Sequence, residues 1–111
     1  MKTYDLKSHQ PTILDAGRLM ADKIREARLE KHKVIKIIHG YGSTGVGGDI
    51  RIAIRKSPRN RVKKADIKAF IPGEAFCMLM GFDEVIKTYQ HLISSDSDYK
   101  KCNEGITYII L

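Results

Sequence analysis

Residues Val34-Ile35-Lys36-Ile37-Ile38 run directly into His39-Gly40-Tyr41-Gly42-Ser43-Thr44-Gly45-Val46-Gly47-Gly48-Asp49-Ile50-Arg51, and this stretch limits the possible folds more than any other. A short run rich in β-branched residues reads as a strand buried on both faces. Five glycines fall between Gly40 and Gly48, more than an ordinary connection of about two to six residues needs. Glycine has no Cβ, so the backbone can turn sharply and approach a ligand closely. A helix starting near Gly48 would aim its free N–H groups and positive dipole end at that loop, a suitable place for a phosphate. His39 is expected at the lip of this site, as the side chain most easily charged or discharged near neutral pH. Simpler readings stand beside these. The glycines could serve only as turn formers, and His39 could be a strand-end histidine bonded to loop backbone.

The remaining periods alternate between strand and helix. Thr3 to Lys7 is short and extended, with Tyr4 and Leu6 as its larger apolar residues. Pro11-Thr12 opens a helix over about 13–30, with Thr12 as N-cap and Asp15 resembling a capping box. Ile13, Ala16, Met20, Ile24 and Ala27 give it one apolar face. A second helix is expected over about 48–57, ended by Pro58. Ala65 to Ile71 reads as a third strand, closed by Pro72-Gly73. The segment 74–94 suggests one or two short helices broken at Gly81. Ile106 to Leu111 ends the chain as a strand. The expectation is a single α/β domain over 1–111, a two-layer sandwich of about four mixed strands with helices packed on the sheet.

Composition narrows the partners. At 111 residues the chain suits one domain, and 42% hydrophobic residues supply a modest core. Twenty Lys+Arg against 13 Asp+Glu give a formal charge of +7, which favours polyanions such as nucleic acid or acidic membrane surfaces. No apolar run approaches the roughly 18–20 residues that span a bilayer. Residues 1–7 lack the apolar stretch of a signal peptide, so a cytoplasmic location is expected. Cys77 and Cys102 have no metal-ligand spacing and are expected to be reduced and partly buried.

From Arg51 to Lys64 the charge is one-sided. Arg51, Arg55, Lys56, Arg59, Arg61, Lys63 and Lys64 face no acidic residue in the same stretch. Arg51 and Arg55, four apart, share a helix face. A solvated surface is the plain reading. Continuity with the glycine loop instead suggests one surface that tracks phosphates, positioning a backbone without reading sequence. Tyr41 is the aromatic best placed to stack on a base.

The strand-loop-helix with His39-Gly40-Tyr41-Gly42, further glycines and Ile50-Arg51 resembles the Smr (small MutS-related) domain. That family carries Leu-Asp-x-His before its first helix, three residues ahead of a common Thr. Leu6-Lys7-Ser8-His9 stands three residues before Thr12, with Lys7 in place of the aspartate. The closing strand ending in Leu111 also fits. The resemblance covers roughly residues 4–73 and 104–111, and 74–103 reads as an insertion. It implies a fold similar to the C-terminal domain of bacterial translation initiation factor three. It also implies binding of DNA or RNA, with nicking or cutting in many members. In the family the Leu-Asp-x-His aspartate and histidine are associated with cleavage, so Lys7 carries over binding more readily than cutting.

The chemistry can also be weighed residue by residue. Phosphodiester cleavage needs a base or metal-bound hydroxide and stabilisation of charge on phosphorus. His39 could move a proton, while loop N–H groups and Arg51 could stabilise the anion. His9 is the second catalytic candidate, or simply positions the first helix. Asp49 is better explained as an N-cap than as a metal ligand. His32 and His91 are expected to face solvent or pack locally. No Asp/Glu/His cluster has metal-site spacing, no cofactor is identified, and a divalent ion such as magnesium would enter only with cleavage. The glycines lack the Gly-Lys-Ser/Thr of a P-loop and the later acidic residue of a dinucleotide fold. Two classes remain. One is a nucleic-acid-binding domain with weak endonuclease activity at most. The other is a non-catalytic interaction module, or one holding a small anion or phosphometabolite. Oligomeric state is left open.

Overall fold

The computed structural model describes residues 1–6, 13–40 and 67–111. Four strands form one sheet in the order β1-β2-β4-β3. They are β1 (Lys2–Asp5), β2 (Val34–Ile38), β3 (Ala69–Pro72) and β4 (Ile106–Ile110). β1 runs parallel to β2, with Lys2 opposite Ile35 and Asp5 opposite Ile38. β4 lies antiparallel between β2 and β3. Hence β1, β2 and β3 share one direction. Helix α1 (Ile13–Leu29) joins β1 to β2. A 3₁₀ turn over Gly73–Phe76 and helix α2 (Asp83–Ile93) lie between β3 and β4.

Patterning explains the layers. In β2, Ile35 and Ile37 join Met20, Ile24 and Ala27 of α1, together with Tyr4, Phe70 and Ile109, in one cluster. Val34, Ala69, Ile71, Ile106, Tyr108 and Ile110 form the other cluster with Ile93 of α2, where Val85, Ile86, Tyr89 and Leu92 pack against it. Successive strand residues point to opposite faces. α1 therefore covers one face and α2 the other. The α/β class and four-stranded mixed sheet are those expected, but the described helices do not lie in one layer. The reason is in β2 and β4: apolar on both sides, they need cover on both. All five residues of β4 are buried.

The ends of elements are equally specific. Lys31 takes a left-handed φ of 62° just past α1. Its amide bonds to the Arg28 carbonyl at 3.0 Å, and that of His32 to Ala27 at 2.9 Å. These two bonds form a Schellman cap that satisfies the last carbonyls of the helix. Gly73 has no room for a side chain, because a Cβ there would strike the Asn103 carbonyl and the Ile106 side chain. The 3₁₀ turn thus lies directly on the segment entering β4. The break expected at Gly81 separates this turn from α2, where acidic Asp83 and Glu84 suit the positive helix start.

One expectation is corrected. Cys77 and Cys102 are joined in a disulfide, with Cα atoms 5.9 Å apart across a separation of 25 residues. That Cα spacing lies within the normal range. A pair of cysteines at this separation carries no pairing signal by itself. They meet because β3 and β4 pair, with Pro72 opposite Thr107, which returns the chain to the 3₁₀ turn. No helix among the described residues is long and apolar enough to cross a membrane.

Candidate nucleic-acid interface

The shared direction of β1, β2 and β3 brings their C-terminal ends to one edge, where β4 begins. At that edge the Leu6 amide donates to the Ile38 carbonyl at 2.9 Å, extending the β1–β2 pairing by one residue. The chain then leaves β1 toward Lys7 and His9 and leaves β2 through His39 and Gly40. Amides of His39 and Gly40 both donate to the Gly105 carbonyl, at 2.9 and 3.1 Å. The Asn103 side chain in turn accepts from the Gly105 amide at 2.8 Å. Gly40 takes φ 86°, a left-handed turn that a side chain would oppose. This fixes the point where the chain leaves the sheet toward Tyr41.

His39 continues the alternation of Ile35 and Ile37, so its ring lies on the α1 face. It is 2% exposed, and its expected place at the lip of a site is instead a buried one. Ring atom Nδ1 lies 2.9 Å from the Gly40 carbonyl. A carbonyl can only accept, so Nδ1 carries the proton of that bond. Nε2 lies 2.9 Å from the Thr107 hydroxyl, which donates to it in the neutral ring. Both ring nitrogens are thus engaged. In this arrangement His39 links the β2 exit to β4.

Gly40 is the other candidate within the described residues. His9, Tyr41, Gly42, Gly45, Gly47, Gly48, Arg51, Arg55, Lys56, Arg59, Arg61, Lys63 and Lys64 lie outside them, as do Lys7, Thr12, Asp49 and the expected helix over 48–57. His32 bonds Glu30 at 3.1 Å, and His91 is exposed.

Two features escape the reading of the sequence. Thr107 is one; a small polar side chain within the otherwise bulky run Ile106 to Ile110 is the signal that marks it. The second is a charged cluster on the α2 face. Lys36, 6% exposed, bonds both Asp96 oxygens at 3.1 and 3.0 Å and Asp98 at 2.8 Å. The Tyr108 hydroxyl donates to Asp96 at 2.8 Å, and the Asn103 amide to Asp98 at 3.2 Å. Burial pulls the Lys36 pKa down, but the bonds to Asp98 and Asp96 outweigh it and leave a net rise. The Lys36 bond holds the Asp98 carboxyl below its ordinary value against burial, helped by Asn103. Burial, then the Asp96 bond, pushes the Tyr108 hydroxyl up. A lysine inside an apolar strand is the available signal, since a buried charge needs a partner. The cluster is satisfied internally and ties the chain before β4 to the sheet. No group of three or more His, Cys, Asp or Glu among the described residues could hold a metal ion.

No family model matches the chain, and no curated protein matches it. Among solved structures, the Smr domain of Thermus thermophilus MutS2 is similar, with a TM-score of 0.62 and 19% identity. The match covers 100% of this chain and 98% of that one. The chain has the Smr fold.

Proposed function

We propose that this chain, with its Smr fold, is a nucleic-acid-binding module that grips the phosphate backbone without cutting it efficiently. The observation carrying this reading is the parallel pairing of β1 with β2. Neighbouring strands lie about 4.8 Å apart, so the ends of β1 and β2, from which the chain continues to His9 and to the glycine loop, lie side by side. Ligands of open α/β sheets bind beyond the carboxyl ends of strands in this way. The glycine loop, Gly40 to Gly48, offers backbone N–H groups, and Arg51 to Lys64 supply positive charge. His39 acts as a positioning residue that sets the exit angle of the loop.

Two arguments favour binding over cleavage. The His39 ring spends both nitrogens on Gly40 and Thr107. Lys7 replaces the carboxylate that could orient His9 or hold a metal ion, and its positive charge attracts phosphate instead.

Fluorescence anisotropy on short DNA and RNA across a salt series tests the binding. Neutralising about four to six phosphates gives a log K against log salt slope near −3 to −5. Arg55→Ala with Lys56→Ala should weaken binding and flatten the slope by about two units. Unchanged affinity in that variant would leave the basic run as mere solvated surface. For cleavage, wild type, Lys7→Asp and His39→Ala are compared on supercoiled plasmid and single-stranded RNA, with magnesium and with chelator. Wild type is expected to leave the plasmid without efficient nicking and to cut the RNA weakly at most. Robust wild-type cutting that disappears in His39→Ala would overturn the binding-only reading.

A further inference from the structure

A concave cleft of about 410 Å³ opens at the other end of the sheet, where β2 and β3 begin and β4 ends. Six extended residue steps from Lys33 to His39 set it about 20 Å from the His39 edge. Its rim carries Arg28 and Lys31 from the end of α1, Lys33 before β2, Lys68 before β3, and the rings of His32 and His91. None of the lining side chains is acidic. Tyr89 and Leu92 of α2 supply an apolar wall. We propose that this cleft is a second anion site that takes a nucleotide unit, its phosphate among Arg28, Lys31, Lys33 and Lys68 and its base against Tyr89.

Each part of that ligand answers to something at the site. Clustered cationic side chains suit a phosphate. A half-buried tyrosine beside a leucine offers a flat apolar surface, and every base has a π-face to stack on it. The volume falls within the roughly 300–1,000 Å³ of small-molecule sites. The C-terminal end of α1 would ordinarily repel an anion. Here its Ala27 and Arg28 carbonyls are already occupied by the His32 and Lys31 amides. The nearby Glu30 carboxylate is likewise drawn onto His32 at 3.1 Å.

The inference does not rest on the reading of the His39 edge, since the two sites share no residue. A backbone-amide NMR titration of the whole chain tests it, with adenosine monophosphate, inorganic phosphate and adenosine as probes. The monophosphate should shift the amides of Lys31 to Lys33, Lys68 and Leu111 in a saturable way. Each fragment alone should bind more weakly. Arg28→Ala with Lys68→Ala should weaken the monophosphate at least tenfold; both side chains are exposed, so the fold should survive. Tyr89→Leu should cost the monophosphate about tenfold, the scale of one base–aromatic stack, and leave inorganic phosphate unchanged. Oligothymidylate, with and without a terminal phosphate, separates the two sources. Shifts of the same amides by the phosphorylated strand would identify a strand end; their absence, with the monophosphate still bound, would identify a free nucleotide. Millimolar monophosphate that moves none of these amides, or binds the Arg28→Ala, Lys68→Ala variant undiminished, would overturn the proposal.

Discussion

Lys31 holds a backbone conformation that costs a side-chain-bearing residue roughly 1–2 kcal/mol. The Schellman cap at the end of α1 needs φ near 62° there, and the lysine accepts it. Glycine would remove the steric cost, although its freer unfolded chain returns roughly 0.5–1 kcal/mol of that gain. Lys31→Gly is therefore expected to stabilise the protein by about 0.5 kcal/mol, read as a higher denaturant midpoint with unchanged slope. A destabilised variant would show that the Lys31 side chain makes a contact worth more than the strain. His39 illustrates the opposite balance. Its backbone is ordinary, and its cost is burial of a ring whose two nitrogens must both find partners. Gly40 and Thr107 provide them, which ties the β2 exit to β4.

Strand β2 is apolar on both faces except for Lys36, and that exception ties the chain between α2 and β4 to the sheet. Lys36→Met would leave Asp96 and Asp98 with no cation between them. Breaking a buried pair by removing one partner costs roughly 3–5 kcal/mol. Asp98 keeps 25% of its side chain exposed, so a loss near the lower end, about 3 kcal/mol, is expected. The pH dependence follows from the two shifts. Asp98 is lowered from 3.8, so its contribution is present above that value and fades as pH falls through the lower folded pKa. Lys36 is raised from 10.5, so its contribution is complete below that value and fades as pH rises through the higher folded pKa. The stability gap between wild type and Lys36→Met should thus stay level between these limits and narrow at both ends. A gap independent of pH would mean that the substitution acts through packing rather than through charge. The carboxylates lie 60 and 62 residues downstream of Lys36.

Across the whole molecule, local patterns were legible and long-range partners were not. α1 and β2 follow directly from the spacing of Met20, Ile24 and Ala27 and from the run Val34 to Ile38. Which face each helix would cover, and which groups would meet Lys36, depend on strand order, which no local period encodes. At the candidate site, His39 and Gly40 stand at a strand end as their sequence suggests, whereas Thr107 joins them only because β4 lies beside β2. The disulfide has the same origin. It closes a separation of 25 residues around α2, the helix that packs on one face of the sheet. Removing a cross-link of that loop length returns about 3.5 kcal/mol of entropy to the unfolded chain. Cys77→Ser with Cys102→Ser, or added reductant, should lower the unfolding free energy by that amount while native binding at the His39 edge persists. The Lys36 cluster ties down the same segment but acts in the folded state. Losses from Lys36→Met and from the cysteine variant should therefore add to within about 0.5 kcal/mol, as independent effects do. A combined loss well beyond the sum would show that the segment detaches from an otherwise folded sheet once both ties are gone.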